Sequence, residues 1–571
     1  MSTTISILGG VGLFLLGMTV MTGGLKALAG SSLRTVLSKA AATPLSGALW
    51  GAVVTLLVQS SSATTMTTIG LVSAGLLSFP QGLGLVFGAN VGTTGTGWLV
   101  ALIGVRVSLT AAALPMIFVG ALIKLLGRGR VSAAGATLAG FALVLFGLTT
   151  LQQGMGGLAE QLHPADLPAV LSGPGAGWWS RFVGVLALVA VGLAMTAVMQ
   201  SSTAAIAVTL SAHYAGAVGL DQACALIIGQ NIGTATSSAM AAIGASSTAK
   251  RLAVAYILFK VIAALIALVL FPLTTPLLLR ASNTIDGVTL LAGYHTAYNL
   301  VGVAVLLPLI DQFTRFVERL LPERGSPLTR CLDPAALATP IATVEAVRRT
   351  VARALGALCG SIDAALAAAS LSGAIRVGKH VASVPEVMDA LHQAQVFMSD
   401  VSGPPESEDE QRRLTSTLHA LDHASRLAEA ADEGAKFGTV RSGSDDMRAA
   451  QLCSEAMRHA ASIAAEVAAP PDARHLNTPI ESRDETLGSR GADATFGAPA
   501  KSIEEALVQL QLCVKALGDL QRSHRNATLS AVATGALTAD ESIARVDTVR
   551  SLGALTIHAW RAAAHLVGRG E

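Results

Sequence analysis

The chain has 571 residues, of which 52% are hydrophobic and only 13% charged, and its formal net charge is +2. Ordinary soluble proteins carry about 25% charged residues, so a wholly soluble fold is excluded, and the near-neutral balance argues against a nucleic-acid partner. The average hides two regimes, because residues 1 to about 320 are apolar and almost uncharged whereas residues 321–571 are ordinarily polar. That is the composition of a membrane domain followed by a soluble one. The five cysteines, Cys224, Cys331, Cys359, Cys453 and Cys513, show no CxxC spacing and no accompanying pair of histidines. They imply neither zinc nor a disulfide framework.

A helix that crosses about 30 Å of hydrocarbon needs about 20 apolar residues. Ile5–Leu28 meets that length, and without a basic segment ahead of it the stretch reads as a retained first span rather than a cleaved leader. Leu45–Val58 is too short to cross; the polar Gln59-Ser60-Ser61-Ser62 follows, and Ala63–Phe79 then resumes the apolar run. Gly82–Gly104, Leu109–Leu126 and Ala134–Leu158 are expected to span. Phe182–Met199, Gln200-Ser201-Ser202-Thr203 and Ala204–Leu220 repeat the interrupted pattern, and Ala223–Gly244, Leu252–Leu279 and Val288–Ile310 are expected to span after it. Each interrupted segment reads as a re-entrant hairpin with its polar cluster at the tip, since broken backbone at membrane depth survives only where protein or water satisfies its polar groups. The predicted fold is all-α and polytopic, with repeat one at about 5–127, repeat two at about 134–280 and a final helix at about 288–320.

The duplication is measurable in the chain itself. Gln59 precedes Asn90-Val91-Gly92-Thr93 by 31 positions, Gln200 precedes Asn231-Ile232-Gly233-Thr234 by the same 31, and every matched residue lies 141 positions from its partner. Polar residues repeated in membrane-spanning sequence mark a transporter with a central site built from both halves. If each hairpin returns to its own side, repeat one crosses three times and the second repeat begins on the opposite face, so the repeats are inverted. Basic residues agree with that topology. Lys26, Arg34 and Lys39, then Lys124, Arg128 and Arg130, then Lys250 and Arg251 fall on one side, while Glu160, Asp166, Asp221 and Asp286 fall on the other with the isolated Arg106, Arg181 and Arg280. The positive-inside bias puts the N-terminus outside and the C-terminal domain in the cytoplasm, with the chain in the plasma (inner) membrane.

An interrupted helix frees backbone N–H groups at the start of its second arm, where the partial positive charge of the helix end attracts an anion. Ser60, Ser61, Ser62, Ser201, Ser202 and Thr203 add hydroxyl donors there. Carbonyls freed at the end of the first arm, with Gln, Asn and Thr side-chain oxygens, can replace the water shell of a small cation such as sodium. Asn90 and Asn231 precede Gly-Thr pairs in which Thr93 and Thr234 supply further oxygens. A third cluster, His295-Thr296 with Asn299, sets His and Asn four apart on one helical face as possible accessory groups. A single Ser-Ser pair in a membrane helix is commonly packing, but duplication at fixed spacing favours function for Gln59 and Gln200. His213 and Tyr214 read as structural.

The paired Q-S-S-[ST]-A, the paired G-x-N-[VI]-G-T and the later H-T-x-Y-N are similar to the bacterial form of the type II sodium–phosphate cotransporter family, in matched order over residues 1–320. The resemblance implies inverted repeats, re-entrant hairpins and sodium-coupled movement of inorganic phosphate. By motif, Gln59, Ser60, Ser61, Gln200, Ser201 and Ser202 would line the phosphate and sodium site, with Asn90, Thr93, Asn231 and Thr234 completing it. Thr203 and Gln230 depart from the first repeat, which has Ser62 and Ala89 at those places.

Residues 321–571 are expected to form helices around 340–371, 376–400, 408–435, 446–469, 501–522 and 538–567, with a polar linker at 470–501. In arrangement, including Arg545 and His558-Ala559-Trp560-Arg561, they resemble the PhoU-like helical domain that follows the membrane part in many bacterial relatives. Metal-binding PhoU domains carry an acid four before an Asp-His pair; here Leu418 stands before Asp422-His423, and Ile557 and Gly553 fill the acidic places before His558. No metal is therefore assigned beyond sodium, and no other cofactor.

The expected partners are inorganic phosphate, sodium and the lipid bilayer, with a cytoplasmic regulatory partner or a homodimer as a further possibility. No Lys or Arg occurs from residue 40 to residue 105, so the charge of phosphate is expected to be met by hydroxyls, helix ends and co-bound sodium. Export of phosphate, carriage of another oxyanion, and a phosphate-sensing regulator are the alternatives. An enzyme is not expected, because no nucleophile–base pair or metal-ligand constellation occurs.

Overall fold

The computed structural model describes residues 3–104, 110–168, 170, 177–243, 246–322, 326–370, 382–401, 407–433, 444–469 and 501–570, with side chains throughout except at 30–40, 103–104, 110–111, 241, 338, 369–370, 433 and 501. The expected linker lies outside the described residues up to Lys501, as does Arg106. Among the described residues every regular element is a helix. They form two compact units, Met1–Ile69 with Phe79–Glu323, and Gly70–Ser78 with Arg324–Glu571.

The first unit contains α1 (Thr3–Ala40), α2 (Pro44–Val58), most of α3 (Ser61–Ser73), α4 (Phe79–Thr93), α5 (Gly95–Leu99), a π-helical turn at Val100–Gly104, α6 (Thr110–Leu126) and α7 (Arg130–Ala159). It continues with α8 (Trp178–Met199), α9 (Ser202–Tyr214), α10 (Leu220–Gly233), α11 (Ala235–Ala241), α12 (Ser247–Ala281), α13 (Gly287–Leu306) and α14 (Ile310–Leu320). The bounds of α3 and α9 differ by the same 141 positions as the motifs. Six helical stretches here are long and apolar enough to cross a membrane: Thr3–Ala29, Phe79–Leu102, Arg130–Ala159, Trp178–Met199, Ser247–Ala281 and Gly287–Leu306. The protein is an all-α, multi-pass membrane protein.

Several segments differ from their sequence reading. Ala223–Gly244 is not one span but α10 and α11, parted at Thr234, because the run Gly233-Thr234-Ala235-Thr236 brings hydroxyls that bond back to backbone carbonyls; Thr236 Oγ1 donates to Gly233 O at 2.7 Å. Gly82–Gly104 is likewise divided among α4, α5 and the π turn. The first arm of the second hairpin begins at Trp178 rather than Phe182 and at 22 residues is long enough to cross. Its leading Trp178, Trp179 and Arg181 are residues suited to a membrane interface, not a flank outside the helix.

Close helix contact rests on glycine. A Cβ on Gly88 of α4 would lie 1.8 Å from the Ala48 carbonyl oxygen of α2, and one on Gly229 of α10 would lie 1.9 Å from the Val189 oxygen of α8. In the reverse direction, a Cβ on Gly51 or Gly192 would lie 2.1 Å from the oxygen of Leu85 or Leu226. Only hydrogen at these positions lets the backbones meet, and such approach is how membrane helices gain dispersion energy without a hydrophobic driving force.

The second unit contains a 3₁₀ turn (Pro334–Ala338), α15 (Pro340–Ser370), α16 (Val384–Ser399), α17 (Glu408–Glu433), α18 (Ser444–Ala468), α19 (Lys501–Ala533) and α20 (Ala539–Leu566). Pro340–Ala368 is a seventh stretch of membrane-spanning length and composition. In this unit its Val347, Val351, Leu355, Leu358 and Ile362 are buried at helical spacing against the other helices, which is the pattern of a bundle's central helix. Glu345 pairs with Arg348 and Arg349 on the same helix at 3.0 and 2.9 Å. Gly70–Ser78 belongs to this unit: Ser73 Oγ donates to Asp333 Oδ2 at 2.5 Å, and Ala74 is fully buried among Cys331, Ala336, Ala342 and Ala346. All five cysteines are buried and free.

Candidate functional site

Gln59 and Gln200 end α2 and α8 in the left-handed conformation, with φ of 56° and 51°, and among the described residues they are the only non-glycine residues with positive φ. That backbone costs an L-residue about 1–2 kcal/mol, so a long polar side chain held there twice needs a compensating reason. Each side chain is tied the same way. Gln59 Nε2 donates to Leu56 O at 2.6 Å and Gln200 Nε2 donates to Ala197 O, while Gln59 Oε1 accepts from Thr96 Oγ1 at 2.6 Å and Gln200 Oε1 from Ser237 Oγ at 2.9 Å. Thr96 and Ser237 are themselves one repeat apart, and sequence reasoning missed both. The signal available was their equal distance of 37 residues from each Gln.

Beyond each turn a new helix starts. Ser60 Oγ accepts from Ala63 N and Ser201 Oγ from Ala204 N, both at 3.3 Å. Ser201 Oγ and Thr203 Oγ1 are 2.9 Å apart. The N–H groups of Ser61, Ser62, Ser202 and Thr203 precede the first intrahelical bonds of their arms, and the hydroxyls of Ser61, Ser62 and Ser202 make no hydrogen bond among the described residues. Each tip therefore offers backbone and hydroxyl donors together, suited to an anion. Among the described residues no hydrogen bond joins one tip to the other.

The two asparagines are buried but differently employed. Asn90 Nδ2 donates to Val86 O at 2.9 Å, and its Oδ1 has no hydrogen-bond partner. Asn231 Nδ2 donates to Asn299 Oδ1 at 3.3 Å, and its Oδ1 accepts from Lys260 Nζ. Thr93 Oγ1 bonds Ala89 O and Thr234 Oγ1 bonds Asn231 O, each at 2.7 Å. Tyr256 lies beside this group, its hydroxyl 3.4 Å from Thr234 Oγ1 and its ring centroid 5.4 Å from Lys260 Nζ. Lys260 is 2% exposed, a buried basic side chain that the expectation of a site without basic side chains left out. A lone lysine within Leu252–Leu279 was the visible signal, since an ionisable residue inside a spanning helix is by default a functional candidate.

Helix α13 meets both repeats. Asn299 reaches Asn231 in the second, while Thr296 Oγ1 donates to Thr94 Oγ1 at 3.0 Å and accepts from Trp98 Nε1 at 2.9 Å in the first. His295 is buried and its carbonyl accepts from Asn299 Nδ2 at 2.8 Å, but its Nδ1 has no partner. Gln230 is fully buried and donates to Ala205 O at 3.0 Å and Thr209 Oγ1 at 2.7 Å, fastening α10 to α9. In the first repeat Thr55 and Thr64, 2.9 Å apart, fasten the two hairpin arms instead. The Gln230 amide nitrogen is thus accounted for by packing, while its buried Oε1 has no hydrogen-bond partner.

These features define a multi-pass helical membrane protein with polar helix breaks repeated in its core. The model of the Na+/Pi-cotransporter family matches residues 13–153 and 180–284, which contain both Gln tips and both Asn-Gly-Thr motifs. The chain belongs to that family of transporters. An uncharacterized protein of Bacillus subtilis, YqeW, is 30% identical over 311 residues, covering 54% of this chain and 96% of that protein. YjbB of Escherichia coli, whose name proposes inorganic phosphate export, is 28% identical over 434 residues, 75% of this chain and 70% of that protein. Because 434 aligned residues exceed the first unit, which ends at residue 323, this likeness runs into the C-terminal helices. Sodium-dependent phosphate transport protein 2A of Oryctolagus cuniculus is 43% identical over 61 residues, 11% of this chain and 10% of that protein. No solved structure matches significantly.

Proposed function

We propose that the chain is a secondary carrier that moves inorganic phosphate together with sodium by alternating access, with Gln59–Ser62, Asn90, Thr93, Gln200–Thr203, Asn231 and Thr234 forming the site. The observation that carries this reading is the pair of strained Gln turns, each anchored 37 residues ahead, within a chain that belongs to the family. Backbone N–H groups and serine hydroxyls at the tips receive phosphate oxygens; sodium is received by oxygens of the Gln, Asn90 and threonine side chains, while Asn231 Oδ1 is taken by Lys260. His295 and Asn299 are accessory to the second repeat's part of the site.

Coupling follows from desolvation. A phosphate without cations, or cations without phosphate, would sit in the membrane core with an uncompensated charge, so the loaded site is the one that rocks between faces. Each net positive charge moved down the membrane potential gains about 2.3 kcal/mol per 100 mV. On this reading the hairpins are re-entrant, the repeats inverted, the N-terminus outside and the PhoU-like C-terminal helices cytoplasmic, where they serve regulation or dimerisation.

Similarity to YjbB favours a second reading, in which the same site works in the direction of export; direction is set by the gradients. Radiolabelled phosphate flux in proteoliposomes, with and without a sodium gradient, tests both. Sodium-dependent flux in wild type, lost in Gln59→Ala and in Gln200→Ala, is the expected result. Sodium-independent flux, or none in correctly folded protein in either orientation, would overturn the coupled carrier. A chain ended at Arg324 separates carrier from sensor less cleanly than its position suggests, because it strips Ser73 and Ala74 of the partners they have in the second unit.

A further inference from the structure

The two repeats present the same amide in two electrostatic states. Asn90 and Asn231 are equivalent by position, and their side chains are 1% and 3% exposed in sum with their backbone. Asn90 Oδ1 is buried without any partner among the described residues, whereas Asn231 Oδ1 is capped by Lys260 Nζ. A carbonyl oxygen left bare in a membrane core costs free energy unless a hydrogen-bond donor or a cation comes to it.

At the same offset of 141 positions Lys260 is matched by Val119 of α6, an apolar residue 45% exposed. Lys260 has no counter-ion: among the described residues no carboxylate lies within ion-pair distance of it; its hydrogen bond goes to the Asn231 amide, its amine lies over the Tyr256 ring, and the His295 ring is a further electrostatic neighbour. A lysine amine held by a neutral oxygen and an aromatic face lacks the counter-ion that a bound anion would supply.

We propose that Lys260 is a built-in cation that takes, in the second repeat, the place a sodium ion takes at the equivalent oxygen of the first, so that Asn90 Oδ1 is the open cation position and Asn231 Oδ1 is not. This rests on the sodium-coupled reading above and adds an asymmetry to it. A tethered ammonium supports phosphate binding but is neither taken up nor released, so it lowers by one the number of sodium ions that must bind for phosphate to move.

The test is the sodium dependence of phosphate flux in proteoliposomes for wild type, Lys260→Gln and Lys260→Arg, alongside Asn90→Ala and Asn231→Ala. Lys260→Gln is expected to raise the order in sodium by one and to need at least tenfold more sodium for half-maximal flux, whereas Lys260→Arg keeps the wild-type order. Asn90→Ala lowers the order by one, whereas Asn231→Ala lowers flux by removing the oxygen that holds Lys260 but keeps the wild-type order, and that difference in order decides the matter if α12 does not tolerate the lysine substitutions. An unchanged order in folded Lys260→Gln, or equal loss of order in both asparagine variants, would overturn the proposal while leaving the carrier reading intact. No sodium dependence in wild type would overturn the carrier reading itself.

Discussion

Replacing Gln200 by Gly and by Ala separates backbone strain from side-chain chemistry. Both substitutions remove the hydrogen bonds to Ala197 O and from Ser237 Oγ, at about 0.5–1.5 kcal/mol each. Only glycine relieves the left-handed backbone at φ 51°, which is worth about 1–2 kcal/mol, less about 0.4–1 kcal/mol for the greater freedom of an unfolded glycine. Gln200→Gly should therefore be about 1 kcal/mol more stable than Gln200→Ala, and the same ordering should hold at Gln59. Thermal unfolding of the purified full chain in detergent measures it, and phosphate flux is followed in the same preparations. Both variants should lose flux, because the amide is gone from each. Equal stability of the glycine and alanine variants at both positions would refute the claim of stored strain, and full flux in either glycine variant would remove the Gln amide from the site.

Other consequences can be measured on the same material. Gly88→Ala and Gly229→Ala place a methyl 1.8 and 1.9 Å from a facing carbonyl oxygen, so each should destabilise the first unit by about 1–3 kcal/mol. Gly156→Ala meets nothing within 4 Å and should gain about 0.5–1 kcal/mol from helix propensity; like effects at all three would contradict the packing. In the second unit, burial and then His558 push His423 down to about 4, and burial with neighbouring cationic groups lowers His558 and His565. An unfolded histidine takes up its proton near pH 6.5, so the unfolded state binds more protons below that value and stability should fall between about pH 6.5 and pH 4. His423→Gln should flatten that fall in a pH series of thermal melts. Asp446 is 3% exposed, lies 2.8 Å from His524 Nε2 through Oδ1 and forms an ion pair with Arg545 at 2.7 Å through Oδ2, so Asp446→Ala should cost about 3 kcal/mol in denaturant unfolding, and a midpoint like wild type's would contradict it.

The amino-acid sequence by itself determined where apolar and polar regimes meet, the offset that relates Gln59 to Gln200 and Asn90 to Asn231, and the presence of helices across residues 340–566, because each is written in local composition, spacing or periodicity; it did not give their bounds, since the helix expected at 501–522 runs on to Ala533. It also contained the glycines, but not what they touch. Hydropathy ran straight through 223–244, and only the folded chain parts that stretch at Thr234. The left-handed state of Gln59 and Gln200 is invisible in residue type, since Gln has no local preference for it, and is held by Thr96 and Ser237 brought up from another helix. Lys260 reaches Asn231 across 29 positions, Asn299 reaches it across 68, and Thr296 meets Thr94 across 202. Periodicity states which face of a helix is buried, but the partner on the other side is chosen by how the helices pack, and that choice is what turned two matching asparagines into one capped oxygen and one bare one.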